Sequence, residues 1–243
     1  MASPANVTSP QIYARLGGLL YLVIIVAGAL GELFVRGSLV VPGDAAATAH
    51  RLLASQGLWR AGIVGDLVMH LCDVVVMWVI YLLLRPVHRP LALLTLLFNL
   101  IQTAVLAANK LTLLVPLVLL GSDAYLAAIA PAQREAWSYA AITLHEYGFA
   151  VGLLFFGMVC LVEGYLIRRS RFLPGWIGAL MQLAGACYLV NSFALLLAPE
   201  FEARLFPAIL MPCLVAELSF ALWLLLKGVD VAQWRMWSDG ETR

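Results

Sequence analysis

Three ionisable side chains interrupt an apolar stretch that is long enough to cross a lipid bilayer. Asp66, His70 and Asp73 lie within the segment from Arg60 to Arg85. Because successive residues of an α-helix turn by about 100°, positions four and seven further along return to within about 60° of the first. The three groups therefore share one stripe of the predicted helix. An aspartate facing lipid costs about 2.5 to 3.5 kcal/mol, so we expect this stripe to face protein or enclosed water.

Further polar groups occur in the neighbouring apolar stretches, and ionisable groups inside membrane spans are functional candidates by default. The candidate binding or proton-relay residues are Glu32, Asp66, His70, Asp73, Asn109, Lys110, His145, Glu146 and Glu217. Histidine changes charge near neutral pH, so the set can handle protons as well as bind a polar solute. Lys110 is the expected counter-charge for Asp66, Glu32 or Glu146. Neighbouring helical positions lie about 100° apart, which favours His145 pointing inward and Glu146 pointing toward an adjacent helix.

Two histidines and several carboxylates are also side chains that bind zinc or iron. Asp66 and His70 have the spacing of four by which one helix offers two metal ligands, and His145 can add a third from another span. A haem held between His70 and His145 is a special case. The candidate cofactors are therefore a transition metal or a haem, and the residues do not choose between them.

The composition of the chain is that of a membrane protein. Its 243 residues are 63% hydrophobic and 12% charged, and its mean hydropathy is +0.93. These values lie outside the range of a soluble globular domain. The formal net charge of +1 and the scattered basic residues exclude nucleic acid as an expected partner. The four cysteines each lie inside an apolar segment and predict neither a disulfide framework nor a CxxC metal motif.

The apolar segments predict an all-α fold, an integral membrane bundle of six transmembrane helices that forms a single domain over residues 1–243. The spans are predicted at approximately residues 11–35, 60–85, 91–120, 132–167, 172–197 and 205–226. A short interfacial helix, capped by Asp44 and closed by Gly57, is predicted between the first two spans. Gly148 and Gly152 have the spacing that lets two helices approach closely.

The distribution of lysine and arginine predicts that both termini are cytoplasmic. Nine of these residues fall on the termini and turns of one side and five on the three opposite loops, while Lys110 lies inside a span. The positive-inside rule assigns the richer side to the cytoplasm. Asp73 and Glu217 then lie near the middle of the bilayer and Glu163 at its cytoplasmic end. The residues predicted in the outer half are Glu32, Asp66, His70, Asn109, Lys110, His145 and Glu146.

Structural roles also fit many of these residues. Asp66, His70 and Lys110 can form a buried network that only fixes helix register. Glu32 lies close enough to the interface to snorkel toward water, and Glu163 is expected to pair with Arg168 or Arg169. Uncharged polar residues are expected to form hydrogen bonds between helices. They are Asn99, Gln102, Gln182 and Asn191.

Five segments spread over nearly the whole chain carry a family resemblance. They are ARLGGLLYLVIIVAGALGE at Ala14 to Glu32, VPGDAAATAHRLLAS at Val41 to Ser55, LHEYGFAVGLLFFG at Leu144 to Gly157, GYLIRRSRFLPGWIG at Gly164 to Gly178, and ELSFALWLLLKGV at Glu217 to Val229. Through them the chain resembles a family of bacterial integral membrane proteins, domain of unknown function 4386. This resemblance implies a six-helix bacterial membrane protein and supplies no reaction, substrate or catalytic residue.

The residues are compatible with functions of three classes. The first is a small permease or proton-coupled binding protein with one cavity, lined by Asp66, His70, Asp73, Lys110, His145 and Glu217. The second is a membrane-embedded enzyme that depends on a metal or haem, and the third is a structural or assembly protein. The expected partners are the lipid bilayer and a small-molecule or ion ligand. The expected location is the bacterial cytoplasmic membrane, and no oligomeric state is predicted.

Overall fold

Six long apolar helices dominate the computed structural model, which describes residues 9–241. The helices are α1 (Pro10–Leu39), α2 (Ala45–Ala54), α3 (Gln56–Leu84), α4 (Arg89–Leu119), α5 (Pro131–Ser170), α6 (Gly175–Leu197), α7 (Pro199–Leu205), α8 (Ala208–Leu226) and α9 (Val231–Glu241). Six of them, α1, α3, α4, α5, α6 and α8, are long and apolar enough to cross a membrane. The described residues contain no β-strand. The all-α prediction with six spans is therefore confirmed.

The first span is longer than the sequence pattern predicts. Helix α1 does not end near Val35 but continues through a π-helical segment, Gly31–Arg36, to Leu39. The extension places Arg36 inside a membrane span instead of in the following loop. Such π-helical turns occur mostly as short insertions within α-helices, frequently at functional sites.

The last span begins later than predicted. The segment before it forms the separate short helix α7, and Phe206 is extended with φ −74° and ψ 138°. A residue that precedes proline disfavours the helical conformation, and Phe206 is followed by Pro207. Helix α8 therefore starts at Ala208, with a 3₁₀ turn over Ala208–Leu210.

The predicted interfacial helix is present as α2, although it ends earlier than expected. The Asp44 carboxylate caps it by accepting a hydrogen bond from the Ala47 N–H at 2.9 Å. The chain bends at Ser55, where φ is −136° and ψ 38°. Helix α3 starts directly afterwards, so Gly57 lies inside α3 and does not close α2. Helix α2 packs against α5.

The six spans pack in chain order as a closed ring. The contacting neighbours are α1 with α3, α3 with α4, α4 with α5, α5 with α6, α6 with α8, and α8 with α1. Large apolar side chains such as Val68, Leu71 and Phe193 are exposed on the outer surface of the helices. Lipid is the solvent that suits such a surface. The polar side chains are therefore confined mainly to the inner faces and to the contacts between helices.

Glycines set the closest contacts of α5. Gly164 lies against the backbone of Gly178, and Gly157 against that of Gly185, so that a Cβ atom at Gly164 or Gly157 would overlap α6. The predicted close-approach pair, Gly148 and Gly152, faces α4 instead, where a Cβ atom would overlap Asn109 and Leu106. Small residues at these four contacts let α5 pack tightly on both neighbours. The packing against α4 fixes the position of the polar residues of α4 and α5 along the axis of the bundle.

Candidate functional site

A buried ion-pair network joins α1, α3 and α4 in the half of the ring nearer to α2. The Asp66 Oδ2 atom lies 2.8 Å from Lys110 Nζ and 2.8 Å from Arg36 Nη1. Asp66 is 1% exposed and Lys110 4% exposed. With His70 and His145, these three residues form what we name the Asp66 cluster. Ion pairs buried this deeply need such close geometry to offset the loss of hydration.

Arg36 reaches this network because the π-helical segment turns it toward α3. Its Nε atom also pairs with Glu32 Oε2 at 2.7 Å, and the Glu32 side chain is 67% exposed. Gly31, in the same segment, leaves room for the Asp66 carboxylate, since a Cβ atom there would lie 2.8 Å from Asp66 Oδ1. The network thus runs from the exposed Glu32 through Arg36 and Asp66 to the buried Lys110, with negative and positive charges in alternation. Their formal charges sum to zero.

His145 on α5 is held by several contacts with α4. Its Nδ1 atom lies 3.3 Å from the Asn109 carbonyl oxygen, and its Nε2 atom lies 3.5 Å from Lys110 Nζ. A carbonyl only accepts and an ammonium only donates, so Nδ1 carries the proton and Nε2 accepts. The Asn109 side-chain amide donates to the His145 carbonyl at 2.8 Å. His145 therefore lies inside the bundle as a neutral acceptor for Lys110.

Two buried polar atoms on α3 have no hydrogen-bond partner among the described residues. They are Asp66 Oδ1 and His70 Nε2, one helical turn apart. His70 is 5% exposed and near enough to Lys110 and Asp66 to interact with them electrostatically. A buried polar atom without a partner costs about 1–3 kcal/mol. The Asp66 cluster therefore keeps unfilled hydrogen-bonding capacity beside its ion pairs.

The remaining acidic candidates are not part of this cluster. The sequence predicts that Asp73 and Glu217 line the same cavity as Asp66, but neither forms a hydrogen bond with the Asp66 cluster. Asp73 accepts hydrogen bonds from Asn99 and Thr103, and Glu217 accepts them from two tyrosines. Glu146 was expected to face an adjacent helix. It is exposed instead, and no hydrogen bond or ion pair to it is found among residues 9–241. The structure thus separates the predicted set into two groups and one exposed acid.

The expected pairing of Glu163 with Arg168 or Arg169 is wrong. Glu163 is 2% exposed and its Oε1 atom has no partner among the described residues. Arg168 donates to Gln182 Oε1 at 2.9 Å, and Arg169 lies over the Tyr165 ring at 5.8 Å from its centroid. Positions five and six further along a helix lie on a different face, so neither arginine can reach Glu163.

Some of the uncharged polar residues form the expected hydrogen bonds between helices. Gln182 joins α6 to α5 through Arg168, in agreement with a role between helices. The Asn99 amide donates to Gln102 Oε1 at 3.0 Å on its own helix, and also lies 3.4 Å from the Asp73 carboxylate on α3. Asn191 is buried, and its Oδ1 atom has no partner in the described part of the chain.

The geometry around His70 and His145 does not resemble a metal centre. Within residues 9–241, no group of three histidine, cysteine, aspartate or glutamate side chains is arranged to hold a metal ion. In the Asp66 cluster the Asp66 carboxylate and the His145 ring both face Lys110. A cation already occupies the position where a metal would bind these two ligands.

The chain matches one protein family over residues 16–228. It belongs to the family described as domain of unknown function (DUF4386). One relative, described as an uncharacterized protein of Archaeoglobus fulgidus, is 25% identical over 171 residues, which is 70% of this chain and 86% of the relative. No solved structure matches. With its six apolar helices, this member of the family is a multi-pass membrane protein.

Proposed function

We propose that this protein binds and carries a small polar solute at the Asp66 cluster, with proton coupling. The observation that supports this most directly is the pair of buried atoms without partners, Asp66 Oδ1 and His70 Nε2. A ligand that satisfied both atoms would remove an unfavourable contribution of about 1–3 kcal/mol for each. We therefore propose that a ligand completes the hydrogen bonding of these two atoms.

The charges of the network favour a solute without net charge. Arg36 and Lys110 balance Asp66 and Glu32, so a charged ligand would leave an unpaired charge in a low-dielectric interior. Asp66 Oδ1 only accepts hydrogen bonds, whereas the His70 ring nitrogen donates or accepts according to its tautomer. The expected ligand therefore carries at least one hydroxyl, amide or ammonium donor. Polyols, small amides and zwitterionic amino acids meet this requirement.

Proton coupling is proposed from the contact between a lysine and a histidine. His145 Nε2 lies 3.5 Å from Lys110 Nζ, so the ammonium group can pass a proton to the imidazole ring. The bias of lysine and arginine favours placing the cluster in the outer half of a bacterial cytoplasmic membrane, where extracellular solutes arrive.

A structural role for the same residues is the second candidate. It is favoured by the fact that both cations bind one oxygen, Asp66 Oδ2, which ties α1, α3 and α4 together. Buried ion pairs fix helix register in some proteins. The two proposals differ in what they predict for variants that fold normally, because a structural network has no need of a solute.

The test is a binding screen on the full-length protein in lipid vesicles. Net-neutral polyols, amides and amino acids are tested for thermal stabilisation, since a ligand at 100 times its Kd stabilises by about 2.7 kcal/mol. A ligand found in this way should lose its effect with His70→Leu and keep it with Glu200→Gln, a variant of an exposed acid in α7. Equal stabilisation of both variants, or no stabilising solute in the whole panel, would contradict binding at the Asp66 cluster.

A further inference from the structure

Three acidic side chains on three different helices lie near enough to one another to interact electrostatically. They are Asp73 on α3, Glu163 on α5 and Glu217 on α8, which we name the carboxylate layer. Glu163 interacts electrostatically with both of the others, and Glu217 with Asp73. The helices that carry them are not neighbours in the ring, apart from weak contact between α3 and α5. The layer therefore lies in the interior that the six spans enclose.

Asp73 is held by uncharged donors from α4. The Asn99 amide lies 3.4 Å from each carboxylate oxygen, and the Thr103 hydroxyl donates to Oδ2. Asn99 and Thr103 are both buried. These contacts orient the Asp73 carboxyl group without supplying a positive charge.

Glu217 is held in the same manner by two phenols. The Tyr21 hydroxyl on α1 donates to Oε2 at 3.1 Å, and the Tyr188 hydroxyl on α6 donates to Oε1. A tyrosine hydroxyl is neutral near neutral pH and stabilises a carboxyl group in either protonation state. Glu217 thus has both oxygens satisfied and still has no counter-charge.

Glu163 differs from the other two because it lacks a partner. It is 98% buried, and its Oε1 atom accepts no hydrogen bond from any described residue. The group lies beside two more carboxyls, where an additional negative charge is repelled. A buried carboxylate without a hydrogen bond or counter-charge is strongly disfavoured, so the protonated and neutral form of Glu163 is the one that this environment favours.

No basic side chain within residues 9–241 forms an ion pair with the carboxylate layer. The other titratable groups that interact with the layer are tyrosines and cysteines, which are neutral at neutral pH: Tyr21, Cys160, Tyr188 and Cys213. Helix α4 contributes only uncharged amides and hydroxyls to the layer. Three ionised carboxylates cannot remain unpaired in a membrane interior, because each would cost several kcal/mol.

A proton is the cation that fits this arrangement. A metal ion needs several ligands at short and similar distances. The described residues hold no group of three acidic, histidine or cysteine side chains arranged in that way. A proton needs only one carboxyl oxygen, and carboxyl groups that share a site are known to share protons.

We infer that the carboxylate layer is a proton-binding site in which the Glu163 carboxyl carries an exchangeable proton. When this proton exchanges with solvent, the O–H bond at Glu163 breaks and an O–H bond to a proton from water replaces it, so the charge of the layer is unchanged. The inference does not depend on solute binding at the Asp66 cluster, because it rests on the charge balance of different residues.

Infrared spectroscopy of the full-length protein in lipid vesicles tests the inference directly. The carbonyl stretch of a protonated carboxyl group is resolved from the bands of ionised carboxylates, and it shifts in D₂O when the proton exchanges. At neutral pH the wild type should show protonated carboxyls that shift in D₂O. Glu163→Gln should lose one of them per protein, whereas Glu163→Asp should keep it.

The matched control is Glu200→Gln, which makes the same chemical change at an exposed position of α7. It should leave the protonated-carboxyl band unchanged. Equal spectra for Glu163→Gln and Glu200→Gln would overturn the inference. So would a wild type in which all carboxyls are ionised at neutral pH, and dependence of that spectrum on sodium would then indicate a metal cation in the layer.

Discussion

Removing one charge of the Asp66–Lys110 pair should have a very different effect from removing the other. Asp66→Asn leaves Lys110 buried beside Arg36, with only the neutral His145 ring within reach. Breaking a buried ion pair in this way destabilises a protein by about 3–5 kcal/mol. We therefore expect Asp66→Asn to lower the free energy of unfolding by about that amount.

Lys110→Met should cost less, because Arg36 stays 2.8 Å from the Asp66 carboxylate and neutralises it. The loss is expected to be about 1–3 kcal/mol, the value of a charged hydrogen bond. The double variant Asp66→Asn/Lys110→Met contains no unpaired charge at this pair. It should be about as stable as Lys110→Met alone, which corresponds to a coupling energy of about 3–5 kcal/mol, the full cost of Asp66→Asn.

The assay is equilibrium unfolding of the full-length protein in mixed micelles, followed by tryptophan fluorescence. A control cycle combines Asp66→Asn with Gln182→Met, because Gln182 bonds to Arg168 and not to the cluster. That cycle should be additive within about 0.5 kcal/mol. A coupling between Asp66 and Lys110 as small as in the control would refute the reasoning.

Four further variants test the packing of the helices and the contacts of the cluster. Gly164→Leu should destabilise the protein by about 1–3 kcal/mol through overlap with α6, whereas Gly57→Ala, with open space around it, should raise stability by about 0.5–1 kcal/mol. Trp59→Phe, which removes a 2.8 Å bond to the Leu113 carbonyl, should cost about 0.5–1.5 kcal/mol. Arg36→Gln should destabilise less than Asp66→Asn, since Lys110 remains. The same unfolding assay measures the free energy of unfolding of all four variants. A stabilising Gly164→Leu, a destabilising Gly57→Ala, or an Arg36→Gln that costs more than Asp66→Asn would contradict the described packing.

The number of spans could be predicted because hydropathy is a strong signal over about 20 residues. The exact ends depend on weaker local signals. The π-helical turn at Gly31–Arg36 leaves no recognisable pattern in a single sequence, so Arg36 was counted as a loop residue. The spacing of four between Glu32 and Arg36 was the available indication that the helix continues.

The contacts within the Asp66 cluster were only partly predictable. A shared stripe on α3 follows from helical geometry, and a buried lysine requires a nearby acid. Three acids were equally good partners for Lys110 by this argument. The choice of Asp66 depends on how α4 is rotated against α3 and α5, which packing around Gly148 and Gly152 decides.

The sequence predicts Asp73 and Glu217 at a similar depth, but it does not predict that Glu163 belongs with them. Glu163 lies near a basic turn, and a local pairing with Arg168 was the simplest expectation. Closure of the ring by α1 and α8 is what brings Tyr21 to Glu217. No local pattern in the sequence predicts such a contact between the first and last spans.

The Asp66→Asn/Lys110→Met variant also provides the most direct test of the proposed binding site. Its binding of the solute found in the screen is measured by titration in lipid vesicles, beside the wild type. Our account predicts a folded protein, about as stable as Lys110→Met, that no longer binds the solute. Binding with the wild-type Kd would contradict the account and leave the Asp66 cluster with a structural role only.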